Sequence, residues 1–243
     1  ANVPGNIHLD LINNELIPDP FFGNNESDLQ WISDRDWTYR LFFTPDKEIQ
    51  DRKNKEICFH GIDTYADIFL NNKKIISSNN MFHPWFANVN DVLLPGMNEL
   101  TIVLRSPIKE VLPLMESLDH TLPAENDQAG KTSPFTRKAP YHYGWDWGPC
   151  FVTSGIWKNV ELFAWDHWQL ADVSITNNKV NDSIAELNVY ANLFSNIQED
   201  GKMIITESKT GKSIEYPIQI REGDNELEYS FTIDDPELWW PAG

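Results

Sequence analysis

The sequence predicts an all-β chain of two successive sandwiches, and three observations carry that prediction. Short apolar runs with period-two alternation recur from Trp37 onward. Gly, Pro and Asn turn signals separate them, with no long helical period between. The pattern then changes at Trp165-Asp166-His167-Trp168. Beyond that point strands follow one another roughly every 10–15 residues, as in an immunoglobulin-like sandwich. That second sandwich reads as incomplete, since about five strands are visible where the fold needs about seven. The expected domains are residues 1–166 and 167–243.

The first residues read as a loop entering a short helix from Asn6 to Asn13. Pro18 to Asn25 is a turn-rich loop holding Phe21 and Phe22. Strands are expected over Trp37–Phe43 and Glu56–Ile62, and a hairpin over Thr64–Ile76 with Asn71-Asn72 at its turn. A further strand holds Phe82 and Trp85. Pro95-Gly96 turns the chain into Glu99–Arg105, where Leu100, Ile102 and Leu104 alternate. A short helix is expected from Ser106 to Met115, limited by Pro113. Glu116–Pro140 is polar and irregular, and Gly155–Phe163 reads as one closing strand. In the second half, strands are expected at Leu170–Thr176, Ala185–Leu193, Met203–Glu207, Ile214–Ile220 and Leu227–Ile233.

The chain has 243 residues, 41% of them hydrophobic, which suffices for a buried core. No run reaches the ~20 apolar residues of a membrane-spanning helix. A net charge of −18 argues against a nucleic acid or an anionic membrane surface as partner. A neutral ligand is the remainder. Cys58 and Cys150 form no metal-ligand spacing with the histidines, so neither a metal nor a cofactor is expected. Cys58 reads as a core residue, and a 58–150 disulfide would depend on the fold. Ala1 is read as the start of a processed or trimmed chain, and the ending Glu237–Gly243 as a cut, so that both ends are expected to be incomplete.

One stretch concentrates chemistry: Arg137-Lys138-Ala139-Pro140-Tyr141-His142-Tyr143-Gly144-Trp145-Asp146-Trp147-Gly148. Neither a helix nor a strand period accounts for it. The flanking glycines permit sharp turns. Two indoles around one carboxylate suit a sugar, whose C–H face lies on an aromatic ring while its hydroxyls donate to the acid. The competing reading is a structural loop plugging the end of a sandwich. Against that stands the expense of burying Asp146 without a partner.

Taken with Val3-Pro4-Gly5-Asn6-Ile7-His8, Asp63 to Asn71, Ser154-Gly155-Ile156-Trp157 and Leu238-Trp239-Trp240-Pro241, this run resembles the amino-terminal part of a glycoside hydrolase family 2 β-mannosidase. The Arg-Lys-Ala-Pro…Gly-Trp-Asp-Trp-Gly pattern favours β-mannosidases over the β-galactosidases and β-glucuronidases of that family. The resemblance covers essentially the whole chain. It implies a jelly-roll, galactose-binding-like domain, then an immunoglobulin-like domain. A (β/α)8 barrel absent from these residues would follow, with two glutamates about 5–5.5 Å apart for a retaining mechanism. No catalytic residue is therefore expected here, and the chain alone should be inactive. Its implied partners are a β-mannoside oligosaccharide or glycan and that barrel. By the same resemblance Asp146 accepts hydroxyls of the non-reducing mannose, Trp145 and Trp147 wall the pocket, and Arg137 braces Asp146 or contacts the sugar. The loop is expected to be exposed. The alternatives are a free-standing lectin-like sandwich, a β-galactosidase- or β-glucuronidase-like member of the same family, and a structural sandwich pair with no ligand.

The remaining residues have blander readings. Asn24, Asn25 and Glu26 read as a solvated turn, and His8 as structural or lining the same face. His60 and His142 have no Ser or Cys at triad spacing. Asp63 and Asp67 would make a turn or hold a structural cation, and Trp239-Trp240 would pack at a domain seam.

Overall fold

The computed structural model describes residues 1–241, so Ala242 and Gly243 of the expected terminal motif lie outside the described residues. The chain divides into two compact units, Ala1–Ala164 and the segment from Trp165 onward, a division two residues before the expected one.

The first unit is a jelly-roll-type β-sandwich. One sheet contains β1 (Trp37–Phe43), β4 (Tyr65–Leu70), β5 (Lys73–Asn79) and β7 (Asn98–Leu104) in the order β1-β7-β4-β5. All its pairs are antiparallel. The second contains β2 (Asn54–Phe59), β6 (Trp85–Asn88) and β9 (Val160–Trp165), ordered β6-β2-β9. A two-stranded piece pairs β3 (Ile62–Asp63) with β8 (Gly155–Ile156). Alternation explains the core: Leu100, Ile102 and Leu104 point inward from β7, and Ile68 and Leu70 from β4. They meet Ile57 and Phe59 of β2, with Val160 and Leu162 of β9 packed against them. Helix α1 (Ile7–Asn13), N-capped by the Asn6 side chain, adds Ile7 and Leu11 to the same core. Asn71 and Asn72 both have positive φ, the geometry of a two-residue hairpin turn.

Three expected elements are corrected. The Gly155–Phe163 run is not one strand: it breaks at Trp157–Asn159, and β8 and β9 belong to different sheets. Likewise Glu56–Ile62 is interrupted at His60-Gly61. Apolar periodicity continues through both breaks because each side faces the same core, so period alone conceals the change of sheet. The expected 106–115 helix reduces to Leu112–Glu116 (α4), with Pro113 in its first turn, where no amide hydrogen is needed. Short helices α2 (Asn25–Asp28) and α3 (Lys47–Asp51) had no sequence signal.

Among the described residues the second unit has five strands: β10 (Trp168–Val180), β11 (Ile184–Ser195), β12 (Glu199–Thr206), β13 (Ser213–Ile220) and β14 (Gly223–Asp234). They form the sheets β10-β11-β14 and β12-β13 in an immunoglobulin-like sandwich arrangement. Ala185, Val189, Ala191 and Leu193 of β11 are buried as their alternation predicts. Trp239 and Trp240 are exposed.

Candidate functional site

The aromatic stretch folds as a tight turn on a buried polar base. A 3-10 turn, Pro140–Tyr143, ends at Gly144, whose φ of +102° only glycine tolerates well. The amide of Trp145 donates to the carbonyl of Gly148 (3.2 Å), and Gly148 returns the bond to Trp145 (3.3 Å). This closes a two-residue hairpin with Asp146 and Trp147 at its tip. The two indoles meet edge to face, 5.6 Å between centroids. Trp147 is 82% exposed, and Asp146 is exposed. Among the described residues the Asp146 carboxylate has no hydrogen-bond or ion-pair partner, so it stands free to accept.

Both legs of the hairpin are anchored from elsewhere in the chain. Tyr143 is fully buried with Ala129, Cys150 and Val152, and its carbonyl accepts from the Gln128 amide at 2.7 Å. The Glu26 carboxylate accepts from the Cys150 amide at 2.7 Å, and Gln30 Nε2 donates to the Cys150 carbonyl at 2.8 Å. The supporting loop is itself fastened by buried Asp127, which accepts from the amides of Ala129 and Ser133. Sequence reasoning read Glu26 as a solvated turn and passed over Asp127. Neither role has a local signal, because Glu26 meets its partner 124 residues later.

Beside the hairpin lies a cavity of about 630 Å³, walled by Phe21, Tyr141, Trp145, Trp147 and Phe151, with His142 and Thr153 also lining it. That volume lies within the usual range of small-molecule sites. Behind Thr153 and His142 sits a buried polar cluster. Lys138 Nζ donates to Asp63 Oδ2, to the Thr153 carbonyl (2.8 Å) and to Thr153 Oγ1 (3.2 Å). Asp63 also accepts from Thr153 Oγ1 at 2.8 Å and from Thr64 Oγ1 at 2.5 Å. His142 Nδ1 lies 3.3 Å from Thr153 Oγ1 and 4.0 Å from Asp63 Oδ2. Burial, and then the charge of Lys138, holds the His142 pKa down at about 4. The same two causes bring His8 to about 4.

Of the adjacent Arg137 and Lys138, it is Lys138, given no role from the sequence, that is buried in the polar cluster. Arg137 is exposed, and among the described residues no ion pair joins it to Asp146. The extended backbone turns alternate side chains to opposite sides, so Thr136 and Lys138 go inward and Arg137 outward. Asp63 and Asp67 take side-chain cations as partners: Lys138 for the first, Lys74 and Arg105 for the second. Cys58 and Cys150 are both buried free thiols.

Residues 1–158 match the family model described as the glycosyl hydrolase 2 galactose-binding domain-like family. The chain is 34% identical to β-mannosidase B of Thermothelomyces thermophilus over its whole length, covering 28% of that protein. It superposes on the crystal structure of a β-D-mannosidase from Dictyoglomus thermophilum with a TM-score of 0.90 and 38% identity. That match covers all of this chain and 30% of the other. An exo-chitosanase from Amycolatopsis orientalis shares the fold, with a TM-score of 0.73, 17% identity, and coverage of 100% of this chain and 26% of its own. The chain therefore spans under a third of the length of these relatives. With its jelly-roll unit matched almost end to end, the chain belongs to the glycosyl hydrolase 2 family through its galactose-binding-like domain.

Proposed function

We propose that these residues form the amino-terminal, sugar-contacting part of a retaining exo-β-mannosidase acting on terminal non-reducing β-D-mannose. The free carboxylate of Asp146, fixed at the tip of a two-residue turn between two indoles, carries this reading. Asp146 accepts hydroxyl hydrogens, Trp145 and Trp147 present apolar faces to the ring, and the exposed Arg137 is a further donor to the sugar. The acid/base and nucleophilic glutamates lie in a (β/α)8 barrel outside this sequence, and residues 1–243 alone are inactive. The β-mannosidase relatives support the substrate class.

Two measurements test it. In the full-length parent, Asp146→Ala should lose about 2–5 kcal/mol of transition-state stabilisation, read as kcat/KM on a chromogenic β-mannoside. Unchanged kcat/KM would show that the hairpin does not reach the sugar. The 243-residue chain should release no product from the same substrate, and turnover would overturn the placement of the chemistry.

A further inference from the structure

The donors and acceptors behind the aromatic cavity can be counted atom by atom. Asp63, as a carboxylate, only accepts. Thr153 has one hydroxyl hydrogen and two nearby takers, Asp63 Oδ2 at 2.8 Å and His142 Nδ1 at 3.3 Å. The shorter, charge-assisted bond wins that hydrogen. Lys138 Nζ then donates to Thr153 Oγ1, which has a second lone pair left, 3.3 Å from His142 Nδ1. A bare Nδ1 would set lone pair against lone pair, so Nδ1 carries the hydrogen. In a neutral imidazole the other nitrogen is then an acceptor. His142 lines the cavity, and its Nδ1 edge is turned toward Thr153 and Asp63. The Nε2 edge remains for the cavity and has no partner among the described residues.

We propose that His142 Nε2 is a further ligand-binding atom, an acceptor for a hydroxyl hydrogen of the glycan held in the aromatic cavity. The assignment rests on the reading of the hairpin as a sugar contact and adds a chemical preference to it. His142 Nε2 on the cavity wall would add an acceptor to the Asp146 carboxylate, which stands exposed at the neighbouring hairpin tip outside the cavity lining, so the two would favour a ligand rich in hydroxyl donors and disfavour a sugar carrying a carboxylate. The charged and titratable groups facing His142 are Lys138, Asp63 and His8, with the Tyr141 ring packed edge-on against the imidazole at 4.8 Å between centroids. Burial, and after it the charge of Lys138, opposes protonation of the imidazole, which keeps Nε2 an acceptor down to about pH 4.

The test uses the 243-residue chain with ¹⁵N-labelled histidine and β-1,4-mannobiose as probe. At pH 7 the His142 nitrogens should report a protonated Nδ1 and a bare Nε2; a protonated Nε2 overturns the assignment whatever the sugar does. On titration the Nε2 resonance should move together with the Trp145 and Trp147 indole signals. His142→Asn keeps an inward donor and removes the outward acceptor, and should weaken mannobiose binding roughly three- to tenfold. His142→Gln, whose amide oxygen reaches the Nε2 position, should recover part of that loss. Equal affinity of His142→Asn and wild type, with the indole signals still moving, overturns the role of His142 and leaves the hairpin reading standing. No movement of any indole signal in this chain overturns glycan capture by His142 here, and the hairpin reading is then decided by the Asp146→Ala kinetics of the full-length parent.

Discussion

Lys138 Nζ and Asp63 Oδ2 form an ion pair whose side chains are 0% and 4% exposed, directly behind the residues lining the aromatic cavity. A buried pair contributes little against a well-packed apolar replacement, but removing one partner leaves a charge stranded in a poor solvent. Lys138→Met should lower the unfolding free energy by about 3–5 kcal/mol, measured by urea denaturation. Adding Asp63→Leu should recover part of that loss. If the single variant is as stable as wild type, the pair does not hold the cluster together.

Acid should destabilise the protein in two stages. The folded-state pKa values of His8 and His142 are about 4, below the ordinary 6.5. The unfolded chain therefore binds more protons between those limits. Stability is fully present above about pH 6.5 and falls as pH drops toward 4, on the order of 2–3 kcal/mol per histidine. Asp67, held down at about 2 first by Lys74 and then by Ser77, adds a loss below the ordinary carboxylate range. Unfolding free energies at pH 7, 5.5 and 4.5 check the first stage, and a flat profile there would refute neutral burial of the two imidazoles.

Gly144→Ala should loosen the hairpin. The backbone at φ +102° and ψ 160° is close to a glycine-only region, and a Cβ there would lie 3.0 Å from the Asn126 carbonyl. A cost of about 1–3 kcal/mol is expected, with faster hydrogen exchange at the Gln128 amide, whose acceptor is the Tyr143 carbonyl.

Glu26→Ala should free the Cys150 amide to exchange faster, at about 1–2 kcal/mol, while Glu26→Gln keeps an acceptor and should restore most of the protection. Equal exchange in all three proteins would show that the second leg of the hairpin is held by packing alone.

The strands were legible where one face is wet and the other dry. Leu100, Ile102 and Leu104, or Ala185 through Leu193, declare their inner face by alternation, and Trp37–Phe43 is a strand over the expected residues. The Trp-Asp-Trp turn was legible because no regular period could absorb it. Its support was not. Lys138 differs from Arg137 only in which side of an extended backbone it occupies, and its partner Asp63 lies 75 residues away. The acceptor role of His142 depends on where one threonine hydrogen goes, which spacing along the chain cannot show.

The anchoring of Cys150 by Glu26 and Gln30 has a consequence for engineering. A synthetic peptide spanning residues 133–150 would contain every aromatic of the turn and neither of these supports. It would keep Trp145, Asp146 and Trp147 but pay the ordering entropy that the folded domain has already met. Transplanting the turn into another scaffold therefore requires carrying over the acceptor for Cys150 and the donor for Tyr143 as well as the turn itself.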